Sequence, residues 1–152
     1  NPKELITKLS DLLTENKVLR KEMEKMEAEK ALQLQHSLAG MVMTNNKGVK
    51  YIISQTNLAD SKLLKNIGFN LSRELGDSVV ALVNSNGDKV MIQINVSETL
   101  AENKSYHAGE MVRQVASLVN GGGGGQAGFA TAGGSNPQGI EAVIEMLKDI
   151  IG

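Results

Sequence analysis

From Pro2 to Ala39 the chain contains no glycine, charges of both signs alternate, and strong helix formers dominate. Within that stretch Leu5, Leu9, Leu12, Asn16, Leu19, Met23 and Met26 follow one another at 4-3-4-3 spacing, the seam of a heptad repeat. A helix reaching Leu38 is roughly 55 Å long at 1.5 Å per residue. So thin a rod cannot bury its own apolar stripe and needs a partner. With Leu5 at position d, Asn16 falls at an a position, where a polar residue fixes register and strand number at some cost in stability. Ile6 and Leu13 widen the stripe near its start, and Lys30 and Gln33 occupy the next seam positions and end it. We therefore expect residues 1–39 to be a coiled-coil segment that self-associates, giving a homodimer; packing back on the same chain or on an upstream domain is the alternative. Pairing direction stays open: in a parallel pair Glu15 faces Arg20, but Glu22 faces Glu27. The chain begins Asn1-Pro2 rather than with methionine, which suits a piece of a larger protein.

Composition narrows the rest. Sixteen Lys and Arg against seventeen Asp and Glu leave a net charge of −1, which argues against a strongly basic nucleic-acid protein. The absence of cysteine excludes disulfides, thiolate zinc sites and cysteine nucleophiles, and fits a reducing compartment. No apolar run is long enough to span a bilayer and no secretory signal is present. A cytoplasmic protein is expected.

After Gly40 the texture changes to alternating α and β, predicting an α/β (α+β) fold: the long N-terminal helix followed by a mixed β-sheet flanked by helices, with residues 40–152 as the globular domain. Val49 to Ser54 reads as a strand. Asp60 can cap a helix carrying Leu64, Ile67, Leu71 and Leu75 on one face, with Gly76 ending it. Ser78 to Val83 and Val90 to Val96 flank an Asn86-Gly87 turn, a strong hairpin signal. A helix from Ala108 to Asn120 buries Met111, Val112, Val115 and Val119. Phe129 to Ala132 is a short strand. Asn136-Pro137 supplies an N-cap and a first helical position for a helix with Ile140, Val143, Ile144, Leu147 and Ile151 on its inner side.

Five glycines, Gly121 to Gly125, interrupt this pattern. One would suffice to end a helix. Five imply that backbone amides converge or that something bulky comes close. The expectation is a Gly-rich loop whose amides form an anion-binding nest; the alternative is a flexible linker, unusual between two core elements. Nucleotide-binding loops do not fit. A P-loop needs Lys-Ser/Thr after the run and a strand before it, whereas Gln126-Ala127 follow and a helix precedes. A dinucleotide fingerprint needs strand, glycines and helix in that order.

No catalytic or metal-ligating constellation stands out. His36 reads as a solvated residue on the long helix and His107 as the start of the helix leading into the glycines, with no carboxylates at metal-ligand spacing. Ser72, Ser117 and Ser135 lie in no nucleophile motif.

Taken as a unit, "HAGEMVRQVASLVNGGGGGQAGFATAGG" resembles the C-terminal module of alanyl-tRNA synthetases: "AGE" opening a helix, the glycine run, then Phe129-Ala130-Thr131-Ala132-Gly133-Gly134 and a final amphipathic helix. "DSVVALVNSNGDKVMIQINVS" is similar to that family's central hairpin, and the family places a coiled-coil-like helix before the domain. The resemblance covers nearly the whole chain. The same DHH-associated domain also resembles the substrate-binding half of DHH-type phosphoesterases, whose catalysis comes from a separate metal domain rich in Asp and His.

The resemblance implies a module that holds the outer corner (elbow) of tRNA, read by shape, that supports dimerisation, and that helps present tRNA to the aminoacylation and editing domains upstream. It implies a parent ligase using ATP, with zinc in its editing domain, and no cofactor or metal in this segment, which is not itself an enzyme. Bare amides suit close approach of a sugar-phosphate or an exposed base. Where many members carry Lys within the run and Arg-Pro-Asp after it, this chain has Gly122 and Gln126-Ala127-Gly128. The candidate RNA-binding residues are therefore Gly121, Gly122, Gly123, Gly124, Gly125 and Gln126, with Lys104, Arg113 and His107 as the nearest basic groups. Two other functions remain in play: a substrate domain binding single-stranded nucleic acid, and a purely structural dimerisation module with inert glycines.

Overall fold

A computed structural model describes all residues, 1–152. Helix α1 spans Pro2–Ala39, its start capped by the Asn1 side chain, which accepts the Lys3 amide at 3.1 Å. There follow β1 (Met43–Thr44), β2 (Lys50–Thr56), α2 (Ser61–Leu75), β3 (Ser78–Asn86), β4 (Lys89–Val96), α3 (Glu98–Glu102), α4 (Ala108–Ala116), β5 (Gly122–Gly125), β6 (Phe129–Gly134) and α5 (Ile140–Ile151). The strands form one mixed sheet in the order β1-β2-β3-β4-β6-β5; β2 and β3 run parallel and every other pair is antiparallel. The expected long helix, mixed sheet and flanking helices are all present.

Alternation along the strands sends side chains to two unequal layers. Val79, Ala81, Val83, Ile92, Ile94, Ala130 and Ala132 face α4 and α5 and build the larger core with Met111, Val112, Val115, Val143, Leu147 and Ile151. On the other side Ile52, Val80 and Leu82 meet Leu64, Ile67 and Leu71 of α2 and Ala31 and Leu38 of α1. Each fully buried Leu or Ile contributes about 1.5–3 kcal/mol relative to exposure. Asp60 caps α2 by accepting the Lys62 amide at 2.8 Å, and Gly76 ends it at φ 77°, open to glycine without strain. The Asn86-Gly87 turn joins β3 to β4, with Gly87 at φ 62°.

Helix α1 divides in two. Leu5, Leu9, Leu12, Leu19, Met23 and Met26 are 54–70% exposed, and Ile6, Leu13 and Asn16 are exposed with them. Past Met26 the apolar stripe moves round by one heptad position, to Ala31, Leu34 and Leu38, and that stripe packs on α2 and β2. The Glu27 carboxylate accepts the Ala59 amide at 2.9 Å, fixing the join. Of the two expected modes of packing, the fold-back is seen for the last quarter of the helix, while the seam stays uncovered in the single chain.

Four readings need correction. The glycine run is not a loop but an edge strand. The "FATAGG" strand extends through Gly134 rather than ending at Ala132. The α4 helix closes at Ala116 and tightens into a 3₁₀ turn, Ser117–Val119, because Asn120 takes the left-handed conformation (φ 53°) that ends it. Asn136 makes no side-chain cap; a 3₁₀ turn, Pro137–Gly139, intervenes before α5. Strand β1 and helix α3 are too short to carry a periodic signal.

Candidate nucleic-acid interface

The β5–β6 ribbon forms the free edge of the sheet. Gly122, Gly123, Gly124 and Gly125 pair with Gly133, Ala132, Thr131 and Ala130, and Gln126 donates its amide to the Phe129 carbonyl at 3.0 Å. That tight turn makes 124–131 and 122–133 the hydrogen-bonded pairs. Gly123–Ala132 and Gly125–Ala130 are then the non-bonded pairs, in which Cα atoms lie closest. A Cβ on Gly123 would sit 2.5 Å from the Ala132 Cα, and one on Gly125 would sit 2.7 Å from the Ala130 Cα. Helix α4 presses on the same strand: its Gly109 faces the Gly125 carbonyl, and the Ala108 and Gly109 amides donate to Ala127 and Gln126 at 2.9 and 3.1 Å. Packing therefore demands glycine at Gly123 and Gly125. Gly121 abuts the Gly133 carbonyl for a related reason.

Gly122 and Gly133 are different. They are cross-strand partners, both are exposed, and a Cβ on either would meet nothing within 4 Å. Neither has a positive φ. No glycine from Gly121 to Gly125 does, which rules out the expected nest of alternating right- and left-handed residues. What remains is a flat patch of backbone, bare where the protein's own packing does not require it. At Gly124 the nearest neighbour is the Arg113 side chain, whose Nε lies 3.3 Å from where a Cβ would be.

The surroundings of this patch follow from the sheet. Helix α4 covers one face of β4, β6 and β5, and α5 lies over β2 and β3. On the opposite face α2 lies over β3 and β4 and reaches β6 at Phe129 through Phe69 and Lys65. Phe129, Thr131 and Gly133 line that open face, half-buried or exposed. At its Gly122–Gly133 end a concavity of about 730 Å³ opens between the ribbon and the β2–α2 loop, with Lys89, Asn86, Asn120, Ser61 and Ser135 on its walls. The wall is stapled by Asn84, whose Oδ1 accepts from the Leu58 amide (2.7 Å) and the Thr56 hydroxyl (2.8 Å), while its Nδ2 donates to the Leu58 carbonyl (2.9 Å). Buried Gln93 fixes the flank of the groove, donating to the Leu64 carbonyl at 3.1 Å and to Asn95 Oδ1 at 3.0 Å. Gly68 of α2 is what leaves room for that amide.

Of the residues singled out in the sequence, Gly121 to Gly125, Gln126 and Arg113 fall together on the ribbon and its α4 flank. His107 stands beside them but as a cap: its Nδ1 accepts the Glu110 amide at 3.1 Å and opens α4. Lys104 lies in the turn after α3, at φ 58°, its amide donating to the Ala101 carbonyl at 3.2 Å. His36 is exposed. Sequence reasoning missed Lys89, Asn120, Lys65 and the pairing of Phe69 with Phe129. For the last of these a signal was available: Lys62, Lys65 and Phe69 share one helical face. No three His, Asp or Glu side chains are grouped closely enough to hold a metal ion, and no helix is long and apolar enough to cross a membrane.

Comparison with known proteins gives a consistent result. Residues 48–152 match the model of the DHHA1 domain. The chain is 36% identical over 151 residues to the alanine–tRNA ligase of Bacillus mycoides (strain KBAB4), an alignment covering 99% of this chain and 17% of that enzyme. It is 37% identical over 153 residues to alanine–tRNA ligase 1 of Lachnoclostridium phytofermentans, again 99% and 17%. Its fold is similar to the crystal structure of the C-Ala domain from Aquifex aeolicus alanyl-tRNA synthetase, with a TM-score of 0.62 and 27% identity, covering 68% of this chain and 91% of that one. The chain thus spans about a sixth (17%) of the length of the ligases it matches.

Proposed function

The chain belongs to the DHHA1 domain family, in the form found as the C-terminal domain of alanyl-tRNA synthetase, and from that premise we propose that it docks the elbow of tRNA on the open β6–β5 face. The observation that supports this reading is the bare Gly122–Gly133 pair, glycine on both strands where no internal contact asks for it. A surface without side chains lets a sugar-phosphate backbone or a splayed base lie against peptide groups at van der Waals distance, which suits recognition of RNA by shape. Lys89 at one side and Arg113 at the other supply charge where the ribbon itself has none.

The same proposal extends to the parent protein. Its homologues are alanine–tRNA ligases, which supports a ligase as the parent; on this proposal that parent uses ATP, the catalytic and zinc-dependent editing steps belong to other domains, and this domain delivers tRNA to both in the cytoplasm. The exposed α1 seam, Leu5 to Met26, pairs two copies.

Binding of the whole chain to folded tRNA, to the same tRNA with its D–T loop contact disrupted, and to a short single strand tests the reading, with Gly122→Val as the altered protein. The expected result is preference for the intact elbow, lost in Gly122→Val. Equal or better binding to the single strand moves the domain to the phosphoesterase type of substrate module. Absence of binding to all three leaves a structural dimerisation module.

A further inference from the structure

The chain contains two phenylalanines, and they touch. Their ring centroids lie 4.9 Å apart with planes inclined by 30°. This is not a core pair: Phe69 is 36% exposed and Phe129 is half-buried, whereas aromatic rings serving only packing are normally enclosed. Phe69 projects from α2, and Phe129 begins β6 on the open face of the sheet. Lys65, one turn before Phe69, holds its Nζ 5.4 Å from the Phe129 ring centroid. Lys62, Lys65, Phe69 and Ser72 recur at 3-4-3 spacing and so form one ridge along α2. That ridge carries two ammonium groups and no carboxylate.

Beneath the rings lies a second concavity, of about 670 Å³, at the opposite end of the open face from the Gly122–Gly133 patch. Its chemistry is the reverse of the ridge. Glu98 and Glu102 of α3 line it together with Ser97, Asn95, Gln126 and the two rings. Carboxylates inside the hollow repel a phosphate and accept hydrogen bonds from N–H groups. Ammonium groups outside it attract phosphate. A ligand that satisfies both halves has a flat ring with N–H donors tethered to an anion.

We propose that Phe69 and Phe129 form a stacking seat for one unpaired nucleobase of bound RNA, with the adjoining phosphates on Lys62 and Lys65 and the base's N–H edge turned toward Glu98 and Glu102. The proposal rests on the RNA-binding reading and deepens it: the glycine patch receives backbone, and the aromatic end receives a base. The two ends belong to one open face, so a single RNA feature covers both.

The test compares the whole chain with Phe69→Leu, Phe69→Tyr, Phe129→Leu and Lys65→Gln in binding folded tRNA, with Gly122→Val alongside. Leucine keeps the apolar bulk and removes the ring face, so loss of stacking weakens binding about 5- to 50-fold in either Leu variant, within the range measured for base–aromatic contacts. Tyrosine preserves the stack and binds within about twofold of the unaltered chain. Thermal melts identify any variant that has lost its fold. Phe69, already exposed, carries the test if Phe129→Leu does not fold. If both Leu variants bind as tightly as the unaltered chain while Gly122→Val loses binding, the base seat is wrong and the RNA reading stands. If the unaltered chain binds no RNA, both fall together.

Discussion

Two kinds of glycine share the β5–β6 ribbon, and they separate stability from function. Gly123 and Gly125 are held against Ala132 and Ala130 at the close, non-bonded positions of the ladder, while α4 presses from the side. Gly122 and Gly133 meet nothing. Substituting Gly123→Val places branched methyls into backbone and lowers stability by about 2–4 kcal/mol, the range for forced overpacking and more. Gly122→Val removes backbone freedom from the unfolded chain at a compatible extended site and leaves stability unchanged or raises it by about 0.5–1 kcal/mol. Chemical denaturation of the two variants measures the contrast directly. Equal losses at both positions would mean that the ribbon is packed on both faces and has no free surface. The residues themselves announced that this stretch was special, but not which of its glycines mattered. That distinction depends on strand register and on the approach of α4, neither of which is written in five identical letters.

Helix α1 shows the same limit at the scale of an element. The seam was legible because a 3.5-residue apolar repeat survives translation into a helix almost unaltered, and its decay after Met26 was legible too. What the spacing did not show is why it decays: the stripe rotates to Ala31, Leu34 and Leu38, which cover α2 and β2 of the same chain. The interface left for a second copy is therefore confined to about three heptads, Leu5 to Met26, with Asn16 near its middle and Glu27 already engaged by the Ala59 amide. On the proposed pairing, so short a seam interrupted by Asn is expected to give a weak, concentration-dependent pair. Asn16→Leu lengthens the apolar run and either tightens the dimer about tenfold or changes the number of strands, while residues 40–152 melt as before. Sedimentation velocity over a range of concentrations measures it. Sedimentation unchanged from the native chain would show that the seam is not where copies meet. Elsewhere the elements followed their local signals where a cap or turn had a single solution, as at Asp60, Gly76 and Asn86-Gly87. They departed where 3₁₀ turns tightened the ends of α4 and the approach to α5, because those turns are shaped by Gly134 and Gly139 packing against Val119 and Leu118, contacts between distant parts of the chain.

For the molecule as a whole, a net charge of −1 leaves little long-range attraction to RNA, so affinity on the open face has to arise at contact distance. The cations that border that face are Lys62, Lys65, Lys89 and Arg113. If each neutralises one phosphate, the logarithm of the binding constant falls with the logarithm of salt at a slope of roughly −3. A tenfold rise in salt then weakens binding about a thousandfold, far less than a strongly basic RNA-binding protein loses. Lys65→Gln and Lys89→Gln each make the slope shallower by about 1 without changing the preference for an intact elbow, because phosphate contacts position the RNA and do not select it. Gly122→Val acts in the opposite way: it removes the preference and leaves the slope nearly as it was, since no charge changes. Titrations of these variants from low to moderate salt therefore resolve two contributions that a single affinity merges. A slope steeper than about −6 would place the RNA on cations outside this face, most of which lie along α1, and the open sheet would then lose its claim to the tRNA corner.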